Sequence, residues 1–96
     1  MEVIQPGEWI AVYFKAPRIG SRVQIDIDAD APVDAWSLPS EALKDFSAEE
    51  DFDYYTKLTR VTGGTLRFKP DRGKEWALVL DNRYSRPVRV HYDVSW

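Results

Sequence analysis

Hydrophobic and polar residues alternate most strictly at the end of the chain. Val88, Val90, Tyr92, Val94 and Trp96 occupy one parity, and Arg89, His91, Asp93 and Ser95 the other. Successive side chains of a strand point to opposite faces, so this pattern predicts a half-buried β-strand. The preceding run, Trp76 to Leu80, is apolar on both parities and predicts a central strand covered on two sides. The polar loop between them suits an antiparallel hairpin. Ser21 to Asp30 alternates as well, with Val23, Ile25 and Ile27 inward and Gln24, Asp26, Asp28 and Asp30 outward.

The remaining segments are read from their punctuation. Glu8 to Lys15 follows the Pro6-Gly7 turn as a strand apolar on both parities, and Pro17 and Gly20 mark a loop. Pro32 and Pro39 bracket Val33 to Leu38, a short strand expected at an edge. Pro39 to Phe46 is the helical candidate, because proline suits a first helical turn. Ser47-Ala-Glu-Glu50 has the spacing of a capping box and predicts a second turn. Tyr54 to Thr62 alternates imperfectly, as an edge strand or a bulged one does. Gly63-Gly64 reads as a hairpin, Thr65 to Lys69 as its return strand, and Pro70 to Gly73 as a turn. The expected fold is all-β: an antiparallel β-sandwich of about seven to eight strands with a short helical insert around residues 39–46.

With 96 residues the chain forms a single domain, 1–96, and its 14% aromatic content can fill a small core unaided. Cysteine is absent, which removes disulfides and thiolate chemistry and points to a cytoplasmic setting. Neither a leader-like segment nor an apolar run of about 20 residues is present, so no membrane partner is expected. The net charge of −3 argues against nucleic acid. Charge is unevenly spread. Through Thr56 four basic residues face twelve acidic ones, and from Lys57 onwards nine basic residues face four acidic ones. Either acidic and basic strands pair across the sheet, or the molecule has charged ends that favour a charged partner or self-association.

Asp26, Asp28 and Asp30 form the sole carboxylate row. An EF-hand would require glycine and glutamate where Ala31 and Ser37 stand, so only a looser Ca²⁺ site competes with a solvated face. His91 cannot work with Ser95, which lies ~13 Å away along a strand. No nucleophile–base pair remains, and neither an enzyme nor a cofactor is expected. Trp9 and Trp76 read as core, and Trp96 as a cap on it. Trp36, sharing a face with Asp34, is either rim packing or a ligand platform.

The run Pro6-Gly-Glu-Trp9, Val23-x-Ile-x-Ile27, Ala31-Pro-Val-Asp-x-Trp-x-Leu38, Trp76-x-Leu-Val-Leu-Asp-Asn82 and Val88-x-Val-x-Tyr-x-Val94 resembles the GOLD-type β-sandwich of p24 luminal domains and related small bacterial domains. The cysteine pair, coiled coil and anchor of the secretory members are missing, so cargo sorting does not carry over. The resemblance implies a fold used for protein contacts. The expected function is a non-catalytic protein-interaction module whose partner is another protein or a second copy. Its surface is expected at Asp34, Trp36, Asn82, Arg83, Tyr84 and Arg86, where Arg, Tyr and Trp are hot-spot types on a loop held by strands. The alternative is a small-ligand or carbohydrate-binding domain using Trp36 with Asp34, or Ca²⁺ at the Asp26 row.

Overall fold

The computed structural model describes residues 1–15, 20–70 and 75–96. Among them are six strands: β1 (Glu2–Ile4), β2 (Trp9–Lys15), β3 (Val23–Pro39), β4 (Thr56–Phe68), β5 (Glu75–Asp81) and β6 (Val88–Ser95). A 3-10 turn, Ser40–Ala42, and a one-turn helix α1 (Leu43–Ser47) separate β3 from β4. Pro39 stands at the head of this insert, as expected. The capping box does not form: α1 ends at Ser47, whose hydroxyl donates back to the Lys44 carbonyl. The turn expected at Pro70 to Gly73 lies mostly outside the described residues.

All pairings are antiparallel and make one curled sheet, a half-barrel. β3 is its spine. Residues 24–29 of β3 pair with β6 and residues 34–39 pair with β5, on the same edge, while β4 follows the opposite edge along almost the whole length. β1 continues outward from β6, and β2 from β5. The sheet is therefore four ribbons wide and bent across the middle, with halves β1-β6-β3-β4 and β2-β5-β3-β4.

This arrangement corrects four expectations; the two strand mergers among them take seven expected segments to five, and β1, unexpected from sequence, makes the six. Pro32 does not end a strand. It sits where the β3–β4 register shifts, between Asp28 and Val33, and the missing N–H breaks no ladder there. Val33 to Leu38 is accordingly a central segment between β4 and β5. Gly63-Gly64 is not a hairpin: both pair with β3 inside β4. Gly64, at φ +156°, would bring a Cβ within 2.9 Å of Leu58 Cδ1, so glycine marks a close approach rather than a turn. Finally, β5 and β6 pair with β3 and not with each other, so residues 82–87 form an arch across the bend.

Burial follows the predicted parities. Val23, Ile25, Ile27, Leu66, Trp76, Leu78, Leu80, Val88 and Val90 fill the concave side, with His91, Asp93 and Ser95 exposed. Trp96 points inward in parity but stays 57% exposed, edge-on to Trp76. β5 is covered on both sides as expected. Ala77 and Val79 face a second cluster on the convex side, where Leu38, Ala42 and Phe46 pack with Trp36, Leu43 and Phe52. Trp9 belongs to this margin rather than to the core. It is 38% exposed and meets Phe46 edge-on at 5.2 Å, because β2 is an outer strand with half its side chains on the convex face.

Candidate functional site

The bend gathers three buried polar residues, Asp34, Asp81 and Asn82. Asn82, fully buried, donates its amide to the Ile4 carbonyl (2.9 Å) and the Arg86 carbonyl (2.8 Å) and accepts from the Tyr84 N–H (3.1 Å). One side chain thus closes the arch on itself and ties it to β1. Asp34 and Asp81 lie directly opposite one another on β3 and β5, both nearly buried and both on the convex face. Asp34 Oδ1 accepts from the Tyr84 hydroxyl (2.6 Å) and from the Arg60 N–H (2.8 Å). Asp81 accepts from Arg83 Nε at 2.7 Å.

Asp34 has a structural task. Arg60 adopts φ +53° where three β4 residues, Leu58 to Arg60, face two on β3. That is a bulge, and its backbone N–H needs an acceptor off the ladder. The Asp34 carboxylate supplies it and also holds the Tyr84 phenol. Burial first, then this bond, raises Tyr84 above its ordinary pKa. The Arg83 guanidinium is held in its charged form chiefly by its hydrogen bond to Asp81.

Above these anchors runs a strip of cations and aromatic rings. The Arg60 guanidinium lies 5.8 Å from the Tyr84 ring centre. Lys57 Nζ lies 5.2 Å from the Trp36 ring and 5.4 Å from the Tyr54 ring. Trp36 meets Phe46, Phe52 and Tyr54 edge-on. Arg83 and Arg86 are exposed on the arch, and Arg83 also lines a cleft of about 270 Å³ with Gly7, Trp9, Phe46, Ser47, Glu49 and Asp81.

Of the residues singled out from sequence, Asp34, Tyr84 and Asn82 are linked by hydrogen bonds, Arg83 pairs with Asp81 beside them, and Trp36 follows Asp34 on the same face of β3. Asn82 is sealed inside the arch, so it holds the surface in place without being part of it. Lys57, Arg60 and Tyr54 were missed. Their place depends on the β3–β4 register, in which Trp36 faces Lys57. The signal available was the aromatic pair Tyr54-Tyr55 next to the first bases of the basic half.

The carboxylate row lies apart, on the wet face of the other half. Asp26 accepts from Thr65 Oγ1 (2.8 Å) and Asp30 from the Arg89 N–H (2.7 Å). Among the described residues no three His, Cys, Asp or Glu side chains converge as metal ligands. Acidic β3 has basic β4 along one edge, where Gln24 accepts from Arg67 (3.3 Å), whereas on the other edge Asp26 lies opposite Asp93 of β6. No helix among the described residues is long and apolar enough to cross a membrane. No protein-family model matches the chain, and neither does any curated protein.

Proposed function

We propose that this domain is a non-catalytic protein-interaction module that engages its partner through the cationic–aromatic strip on the convex side of the bend. One observation carries the reading: the buried Asp34 carboxylate holds the Arg60 backbone N–H and the Tyr84 hydroxyl, with the Arg60 guanidinium 5.8 Å from the Tyr84 ring, beside Lys57 over Trp36 and Tyr54. Tyrosine and tryptophan side chains already fixed in place lose little entropy when a partner binds. Exposed Arg83 and Arg86 extend the cationic character, so the partner surface carries carboxylates. Absence of cysteine supports a cytoplasmic setting for the contact.

The same proposal takes the fold as a GOLD-like sandwich. The two halves of the curled sheet serve as its layers around Ile4, Ile25, Leu66, Trp76 and Leu80. In such a fold the faces and loops make contacts and no chemistry.

The test is capture from source lysate by the parent and by an Arg83→Ala, Arg86→Ala double variant and a Lys57→Ala variant, with melting as the control for folding. The captured protein is then measured in direct binding. Loss of binding with an intact fold is expected. Undiminished binding by all variants disposes of the strip.

A second reading, a small-ligand domain, draws on a groove of about 640 Å³ lined by Arg22, Gln24, Arg67, Phe68, Lys69 and Trp96 at the opposite end of the molecule. Thermal shift separates the two. A ligand at ~100-fold its Kd adds ~2.7 kcal/mol, and each kcal/mol moves Tm by ~4–8 °C for a domain of this size. A shift of that size with sugars or nucleotides, abolished by Arg67→Ala, favours the ligand reading. No shift leaves the protein-contact reading ahead.

A further inference from the structure

The sheet ends in two long edges of opposite character. β4 carries Lys57, Arg60 and Arg67, a bulge at Arg60 and two glycines in its interior, all of which discourage a further strand from pairing. β2, Trp-Ile-Ala-Val-Tyr-Phe-Lys, has neither bulge nor glycine and a single charge, Lys15, at its end. Its six apolar residues run unbroken to Lys15, it pairs only with β5 among the described residues, and Tyr13 is 62% exposed. An apolar edge of about 24 Å whose one charge stands at its end, with no proline within it, invites a partner strand.

The direction of its free backbone groups follows from the start of the strand. The Asn82 N–H donates to the Glu8 carbonyl (2.9 Å), so Glu8 faces β5. Facing alternates along an antiparallel strand. Ile10, Val12 and Phe14 therefore spend their N–H and C=O groups on β5, and Trp9, Ala11, Tyr13 and Lys15 turn theirs to the open edge.

We propose that β2 pairs with β2 of a second copy, antiparallel about a two-fold axis through Val12. A two-fold contact must be self-complementary, and in this register the sequence is. Ala11 faces Tyr13 and Trp9 faces Lys15, so all four outward-facing residues exchange hydrogen bonds. On the convex face the most exposed ring of the strand meets its smallest side chain, and the strand's one charge lies beside an indole rather than its own copy. On the concave face Ile10 meets Phe14 and Val12 meets itself. The result is a continuous sheet across both copies. This interface is separate from the arch strip and does not depend on it.

Sedimentation velocity over a concentration series tests the association: a concentration-dependent dimer is expected, and a monomer throughout overturns the proposal. Tyr13→Pro removes an outward N–H while leaving the β5 ladder intact, and should weaken the dimer roughly tenfold or more without lowering Tm greatly. Tyr13→Lys serves the same purpose if the proline variant misfolds. Register is tested by cysteine, which the chain lacks. In Val12→Cys the two thiols face each other across a non-hydrogen-bonded pair with Cα atoms ~4.5 Å apart, within disulfide range, and mild oxidation should yield a covalent dimer. In Tyr13→Cys they sit on the diagonal, ~7–8 Å apart, and should not link. A dimer insensitive to Tyr13→Pro, or covalent linkage in the Tyr13→Cys variant but not in Val12→Cys, refutes β2 pairing in this register. The Arg83→Ala, Arg86→Ala variant should dimerise like the parent, so this proposal and the strip fail independently.

Discussion

β3 and β4 run through both halves of the sheet, yet the convex faces of those halves differ completely. In the half with β6 the convex face is wet, and Asp26, Asp28 and Asp30 stand on it, all exposed. In the half with β5 that face is roofed by the insert, and Asp34, on the same strand beyond Asp30, is only 5% exposed. The same residue type on the same strand is decoration in one place and an anchor in the other. The roof makes the difference. Phe46 and Phe52 cover Trp36, Leu38 and Val79, and the Asp34 and Asp81 carboxylates at the margin of that cover find partners inside the protein. The strip of bound cations and rings exists because that margin coincides with the arch.

Removing the roof should have the largest effect. Phe46→Ala empties the centre of the convex cluster and should cost ~3–5 kcal/mol, read by denaturant melting. Trp9 and Trp36 should become more exposed in fluorescence. A loss below ~1 kcal/mol would mean the two halves are less different than described. Next comes the arch. Asn82→Ala leaves the Ile4 and Arg86 carbonyls without the amide, at ~1–3 kcal/mol for a group left unsatisfied, and should cost ~2–4 kcal/mol.

Tyr84→Phe removes a phenol–carboxylate bond and should cost ~1.5–3 kcal/mol at neutral pH. Its pH dependence sharpens the point. Burial and the bond to Asp34 raise the folded pKa of Tyr84, so the folded state keeps this proton after the unfolded chain has lost it. The associated stability is full below about pH 10, the unfolded tyrosine value, and is lost as pH rises through the folded value. The gap between parent and Tyr84→Phe should therefore close in strong alkali, and a gap independent of pH there would contradict the bond. Smallest of all, Asp28→Ala on the wet face should change stability by no more than ~0.5 kcal/mol. A larger loss would show that the carboxylate row also has a structural task.

Much of this was legible in the chain. Two-residue periodicity placed β6, the first half of β3 and the two-sided burial of β5, because burial on a sheet is decided locally by parity. Partner choice was not legible. Alternation says that residues 88–95 form a strand, but not that β5 and β6 lie end to end along β3 instead of pairing with each other. Pro32 and Gly63-Gly64 misled for a related reason: each signals a break in a strand, and here the bend absorbs both without ending one. At the site, loop composition picked out Arg83, Tyr84 and Arg86, and the Asp34–Trp36 spacing gave the shared face. Arg60 and Lys57 stayed hidden because a bulge held by a distant carboxylate leaves no local trace.

The most direct test of the binding strip is amide hydrogen exchange on the domain with its captured partner bound. Protection should concentrate at Tyr54 to Arg60 and Arg83 to Arg86, leaving Arg89 to Ser95 as in the free protein. Protection confined to β6 or to the groove beside Trp96, with the arch exchanging freely, would contradict the account.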